Sequence, residues 1–274
     1  MSPPFTFDFS KINANMGYAF EFPINHEKRD TGNLCPYPIP KVEDIFKRIE
    51  RACVSVSKEQ FVSDLFACGA LAISNQVDFT QYDKRENEYL QIIKKYRPTE
   101  QKALVDIFSM IFALLSSVVY DNGAFKDYLG ELFMRFNFGN SKNGQFFTPY
   151  HISECMARMA MDEHSVRAKA EADEIISICD PCCGGGGMLV AALDVLREYN
   201  INYARNCILV GADIDIRCVY MTYLQLALAG APAIVCHQNT LTQELWSVWK
   251  TPAFIFQYLR FHKYDIAIPK EKTA

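Results

Sequence analysis

The sequence predicts an α/β fold: a helical domain followed by a parallel β-sheet with crossover helices. Three observations predict it. Apolar residues recur at helical spacings from Lys41 to about Phe136, the mark of amphipathic helices. From Ile175 onward, short runs rich in β-branched residues alternate with helical stretches, as in βαβ units. The first of those runs ends in Asp-Pro and then Gly184 to Gly187, a turn where backbone can approach a ligand closely.

Composition sets the outer bounds. The chain has 274 residues, 50% of them hydrophobic and 22% charged, an ordinary globular balance. The longest apolar stretch, Ile107 to Tyr120, is shorter than the roughly 18 residues of a membrane span, so a buried helix and no membrane are expected. Met1 to Phe5 offers no basic segment leading into an apolar run, so no secretory signal is expected. The ten cysteines sit within apolar runs, which suggests reduced thiols in a cytoplasm. Cys179 and Cys182 form a C-x-x-C without a second pair of ligands, and no metal is expected. The net charge of −4 excludes a protein that grips DNA through a general basic excess. Any DNA contact then needs a local patch or a partner.

Residues 1–40, rich in Pro, Asn and Phe, read as an irregular arm. Residues 41–140 form the expected helical domain of about five helices. Val42, Ile45, Phe46 and Ile49 share one face, as do Phe61, Leu65, Phe66 and Cys68 to Leu71; Tyr89 to Ile93 and Leu104 to Leu115 continue the pattern. Pro98 marks a helix start and Asp121-Asn122-Gly123 a stop. Phe138 to Gly144 is a loop by composition. Residues 141–274 form the sheet domain. Strands are expected at Ile175–Cys179, Cys207–Ala212 and Ala233–His237, with helices at Met188–Tyr199 and Asp215–Ala229 between them. Right-handed crossovers follow. Leu245 to Tyr258, with Trp246, Trp249, Phe254 and Phe256, reads as core packing, with a cap on the sheet or a partner contact as alternatives. Tyr264 to Pro269 reads as the fourth strand.

The glycine turn separates two ligand classes. A dinucleotide wants G-x-G-x-x-G, but Leu189 stands three residues after Gly186, and no Gly-Lys-Ser/Thr follows for a P-loop. Asp180, just ahead of the turn, would repel a pyrophosphate and suit an amino-acid ammonium. That points to S-adenosylmethionine (SAM) on a Rossmann-like sheet. Asp213 ends the second run, where a carboxylate accepts both ribose hydroxyls. Asp215 suits the N-cap of the following helix. Asn239, after the third run, could bond the adenine amino group, although an Asn there is commonly a turn residue.

Asp127 to Phe133, Gly144-Gln-Phe-Phe-Thr-Pro149 and Asp180-Pro-Cys-Cys-Gly-Gly-Gly-Gly-Met-Leu189 resemble the methylase subunit of type I restriction–modification systems, in the N-6 adenine-specific DNA methylase family. The resemblance spans about residues 125–245. It implies a SAM-dependent methyltransferase domain acting on adenine N6 in DNA. Thr148 would contact the methionine end of SAM; Asp180, Pro181, Gly184 and Gly186 would form the cofactor loop; Asp213 would hold the ribose. Asn239 stands where the family usually carries Asp.

The family also carries Asn-Pro-Pro-aromatic after its fourth strand, which holds the flipped-out base. No Asn-Pro dipeptide occurs among the 274 residues, so no catalytic residue is assigned; Ser2-Pro3-Pro4-Phe5 matches a looser form without a preceding strand. The run from Ile175 holds fewer strands than the family's sheet of about seven. In the usual order its fourth strand would lie beside the first and leave a bare edge. Two readings follow. The chain is an adenine-N6 methyltransferase-like protein whose base recognition comes from a specificity subunit or second methylase chain, as a homo- or hetero-oligomer. Alternatively it is a non-catalytic SAM-binding regulator or assembly protein. A nucleotide- or NAD-binding module fits poorly.

Overall fold

A computed structural model describes residues 39–52, 54–120, 123–136 and 147–261. Most of the 1–40 arm with its Ser2–Phe5 motif, the stop at Asp121 and Asn122, the 138–144 loop and the expected strand Tyr264–Pro269 lie outside the described residues.

The chain is mixed α/β, as the sequence predicts. Its first part holds helices α1 (Val42–Ala52), α2 (Lys58–Asn75), α3 (Tyr82–Ile93), α4 (Pro98–Tyr120) and α5 (Tyr128–Phe136). Two of them start for a plain local reason. Ser57 caps α2, its hydroxyl accepting from Gln60 N at 3.1 Å. Pro98 opens α4, where its missing N–H costs nothing. Glu100, in the first turn of α4, is buried and satisfies four donors: Val54 N, Ser55 N, Ser55 Oγ and Arg97 N. The segment Pro98–Val119 is long and apolar enough to cross a membrane by length and composition, and 56% of its most apolar 18-residue window is buried inside the fold. The segment is longer than the stretch singled out from sequence because the helix continues back through Glu100, Lys102 and Asp106. Leu104, Ile107, Ile111 and Leu115 on this helix join the core.

Two helices that the sequence pattern did not reveal follow: α6 (Tyr150–Ala160) and α7 (Glu163–Glu171). The sheet part then runs β1 (Ile176–Asp180), α8 (Gly187–Glu198), a short α9 (Tyr203–Asn206), β2 (Cys207–Asp213), α10 (Ile216–Leu228), β3 (Ala233–Asn239), β4 (Glu244–Lys250) and α11 (Pro252–Phe261). Strand order is β1-β2-β3-β4. The first three are parallel, with Asp180 opposite Gly211 and Asp213 opposite His237. Asp215 caps α10, its side chain accepting from Arg217 N at 2.9 Å, as expected.

The aromatic stretch expected to serve as packing departs from expectation: Glu244–Lys250 forms strand β4, which pairs antiparallel with β3. A hairpin over residues 240–243 makes this cheap, with Gln243 at φ +60° closing the turn. The register slips between His237 and Gln238 and leaves Trp246 as a bulge, so Leu245 and Val248 pack on the Phe254 face while Trp249 joins the helical core, and the strand's alternation is broken in the sequence. Among the described residues β1 and β4 are therefore the edges.

The sheet's faces are covered unequally. Ile176, Leu209, Val235 and Trp249 belong to the same core as Phe61, Ile107 and Leu193. On the other face Ile208, Ala212, Ile234, Cys236 and Val248 pack with Phe254 of α11, while Ser177 and Cys179 of β1 are exposed.

Arg85 of α3 ties the helices to the sheet. It is 3% exposed. Its guanidinium donates to Val248 O at 2.8 Å, to Asp78 Oδ2 at 3.2 Å and to Ser74 Oγ, and lies 4.0 Å from the centre of the Trp249 ring. Removing one partner of a buried pair leaves the other charge unpaired. Arg85→Met is expected to lower the unfolding free energy by about 3–5 kcal/mol, measured by urea denaturation. A change under about 1 kcal/mol, the typical worth of an exposed pair, would contradict this role.

Candidate functional site

Three strand ends and one glycine turn meet at the C-terminal edge of the parallel sheet. The turn begins with Asp180, whose Oδ1 accepts from Cys182 N at 3.1 Å. Cys183 N then bonds Ala212 O at 2.9 Å, fastening the turn across to β2. Gly184 and Gly186 adopt φ +54° and +91°, a region that side chains disfavour. Gly186 is the N-cap of α8, so the free N–H groups of the first helical turn follow it. A Cβ on Gly186 would also lie 3.0 Å from Thr222 Oγ1.

Asp213 joins the turn to the end of β2. Its Oδ2 accepts from Gly184 N and its Oδ1 from Asp215 N, both at 2.8 Å. Each oxygen keeps a further acceptor position. Asp180 and Asp213 are half-buried. Burial raises the Asp180 pKa above the ordinary carboxylate value, the Cys182 N–H pulls it back, and the Asp213 charge adds to the rise. Two carboxylates that feel one another at a strand edge make a site suited to a cation.

The end of β3 completes the edge. Thr240 Oγ1 donates to Pro181 O at 2.6 Å and so links β3 to the turn. Asn239 Oδ1 accepts from Leu241 N at 3.0 Å and Thr242 N at 3.2 Å. Both lone pairs are thus directed at its own turn, the turn-residue role anticipated for it, and its amide nitrogen is the group it can offer outward. His237 bonds Ile214 O through Nε2 at 3.1 Å and packs on Trp246, ring centroids 4.6 Å apart. Burial lowers the His237 pKa, opposed by the Ile214 carbonyl and the charges of Asp215 and Asp213.

Thr148 is exposed at the entry to α6. Its neighbour Phe147 stacks on Phe133 with centroids 5.7 Å apart, and a Cβ on Gly184 would meet the Phe147 ring at 3.3 Å. The seven residues singled out from sequence, Thr148, Asp180, Pro181, Gly184, Gly186, Asp213 and Asn239, therefore lie on segments that gather around this one edge. Among the described residues no group of three or more His, Cys, Asp or Glu is placed to hold a metal ion.

Three further residues were missed. Thr222 Oγ1 donates to Gly184 O at 2.9 Å, and Gln225 Nε2 donates to Gly185 O at 2.6 Å and to Asp127 Oδ1 at 2.8 Å. The available signal was the pair of polar residues, three apart, inside the apolar run Met221 to Leu228. Buried polar groups on such a helix must have partners.

Comparison with known proteins agrees with the motifs. The profile of the N-6 DNA methylase family matches residues 124–264. The type II methyltransferase M.MamI of Microbacterium ammoniaphilum is 31% identical over 146 residues, which cover 50% of this chain and 40% of that protein. The chain thus spans less than half the length of that relative. A solved structure, the methyltransferase subunit of a type I restriction–modification system from Streptococcus thermophilus, aligns over 70% of this chain and 57% of its own at 12% identity. Its TM-score of 0.29 is too low to carry an argument.

The glycines of the turn are expected to differ in tolerance. Gly186→Ala combines a positive φ with a close approach to Thr222 and should destabilise by about 1–3 kcal/mol. At Gly185 a Cβ would meet Asp127 and Gly130 at 3.4 Å, an ordinary contact, so Gly185→Ala should cost less than about 1 kcal/mol. Thermal unfolding of both variants checks the order; equal losses would contradict it.

Proposed function

The chain belongs to the N-6 DNA methylase family, and on that premise we propose that it carries a Rossmann-like, SAM-binding methyltransferase domain directed at adenine N6 in DNA. The observation that carries the reading is the convergence of Asp180, the glycine turn, Asp213 and Asn239 at the ends of three adjacent parallel strands. Ligands bind at such strand ends, with a carboxylate on the second strand for ribose hydroxyls.

The residues fit the group. The positive-φ glycines let the turn pack tightly against Phe147 and Thr222, so that backbone alone forms its outer surface. The paired carboxylates suit a ligand bearing an ammonium and a sulfonium, and disfavour a pyrophosphate. Asp213 would accept the ribose hydroxyls through its remaining lone pairs. Asp180 would face the ammonium, and the α8 N-terminus the carboxylate. Thr148 would meet the methionine end, and Pro181 would shape the turn. Asn239 would offer its amide N–H to a ring nitrogen of the cofactor's adenine, because its oxygen is committed to Leu241 and Thr242.

SAM, when bound, supplies an electrophilic methyl group for the acceptor nitrogen. The chain's share of the chemistry is positioning: it holds the donor at a fixed edge while the amino group of a flipped base is brought to it. The Asn-Pro-Pro-aromatic element that holds the base is absent from the 274 residues. A specificity subunit or a second methylase chain would supply the DNA grip that a net charge of −4 does not. A second reading keeps the cofactor edge alone: a non-catalytic SAM-binding regulator or assembly protein.

Calorimetry with SAM and NAD tests the cofactor. The chain should bind SAM and not NAD; Asp213→Ala should weaken SAM binding at least about tenfold, the equivalent of one charge-assisted hydrogen bond or more. NAD binding would overturn the reading. Asn239→Asp should also weaken SAM binding, since it removes the outward N–H donor; tighter binding would mean that the side chain accepts from the adenine amino group instead. Methyl transfer to DNA by the chain alone or with a partner methylase chain would remove the regulator reading.

A further inference from the structure

The stretch before α5 runs back along α8. Arg197, in the last turn of α8, donates to Gly123 O at 2.8 Å and lies 4.4 Å from the centre of the Phe125 ring. Four residues on from Gly123, Asp127 reaches the first residue of the same helix: a Cβ on Gly187 would lie 3.0 Å from Asp127 Oδ2. Asp127 caps α5 through Gly130 N at 2.9 Å, and a Cβ on Gly130 would overlap its carboxyl group. The carboxyl therefore sits in a slot that exists because Gly130 and Gly187 lack side chains.

Gln225 spans the same slot from α10. Its amide nitrogen bonds Asp127 Oδ1 and Gly185 O, and its oxygen accepts from Leu129 N at 3.5 Å. One turn back, Thr222 takes Gly184 O. Two successive carbonyls of the turn are thus drawn toward α10, away from the strand edge. In a trans peptide the N–H points opposite its carbonyl, so the Gly185 N–H faces away from α10, while the Gly186 N–H closes the turn onto Cys183 O at 2.8 Å.

We propose that Gln225, held in place by Asp127, is a positioning residue that fixes the Gly185 carbonyl inward and, with Thr222 on Gly184 O, holds the turn in the form that presents the Gly185 N–H and the first N–H groups of α8 to the anionic end of the ligand. The proposal deepens, and rests on, the reading of this turn as the cofactor loop. Asp127 orients Gln225 by accepting one of its two amide protons, leaving the other for Gly185 O. Neither side chain touches the ligand.

The test is hydrogen exchange of the full chain, read together with SAM affinity. Gln225→Met removes the amide at nearly constant volume. Amide exchange at Gly184 to Gly187 should accelerate at least about tenfold, the loss of one buried hydrogen bond, while amides of Leu209 and Val235 in the sheet should change less. SAM affinity should fall by a similar factor. Asp127→Asn keeps an acceptor for Gly130 N and Gln225 Nε2 and should retain both properties within about threefold, which a merely space-filling role would not require. If Gln225→Met does not fold, Gly187→Ala, which displaces the Asp127 carboxyl, carries the same test. Unchanged exchange at the turn, or acceleration spread evenly over turn and sheet, would overturn the proposal. If the wild-type chain binds no SAM, the cofactor reading fails, and the exchange pattern alone still decides whether Gln225 positions the turn.

Discussion

Helix α10 has no solvent face from Cys218 to Leu228, and much of the structure follows from that constraint. One side packs on β2 and β3, another on α2, and Tyr220 and Tyr223 set their rings edge-on against Trp249 of β4. A helix buried on all sides cannot leave a polar side chain without a partner at low cost. Its two interior polar residues near the first strand, Thr222 and Gln225, find theirs in the carbonyls of the glycine turn. The helical region, the sheet and the turn are thus coupled through one element, with Arg85 adding a second tie from α3 to β4.

The site inherits its character from this arrangement. The Gly184 and Gly185 carbonyls face the core, so the Gly185 N–H, the first N–H groups of α8 and the two carboxylates, Asp180 and Asp213, are what remain at the strand edge. Donors for an anion and acceptors for a cation lie side by side. A zwitterionic amino-acid end joined to a ribose matches that pattern, and a pyrophosphate does not. Asp213 has two tasks in this scheme: it fixes Gly184 and Asp215 through one lone pair on each oxygen and keeps the others for a ligand.

Much of this edge was legible in the sequence, because its parts are local. Asp180 and the glycines announce a strand-to-helix turn, Asp213 and Asp215 follow a β-branched run, and the Asp215 cap needs only its own neighbours. What was not legible depends on contacts between distant segments. Asp127 meets Gln225 across 98 residues, and the packing of its carboxyl against Gly187 leaves no trace in spacing. The helices α6 and α7 were overlooked since their exposed faces weaken the apolar period, with Ile152, Met156 and Met159 exposed on α6. The strand β4 reads as core packing in the sequence because the bulge at Trp246 breaks its alternation, and its pairing with β3 depends on the 240–243 turn more than on composition.

Titration of the isotopically labelled chain with SAM, followed by backbone amide resonances, tests whether the three strand ends form one SAM site. Saturable shifts are expected at Gly184 to Gly187, Asp213 and Ile214, and Asn239 to Leu241, with the exposed α6 residues Met156 and Met159 unmoved. Shifts centred away from these three segments, or none at saturating SAM, would contradict it.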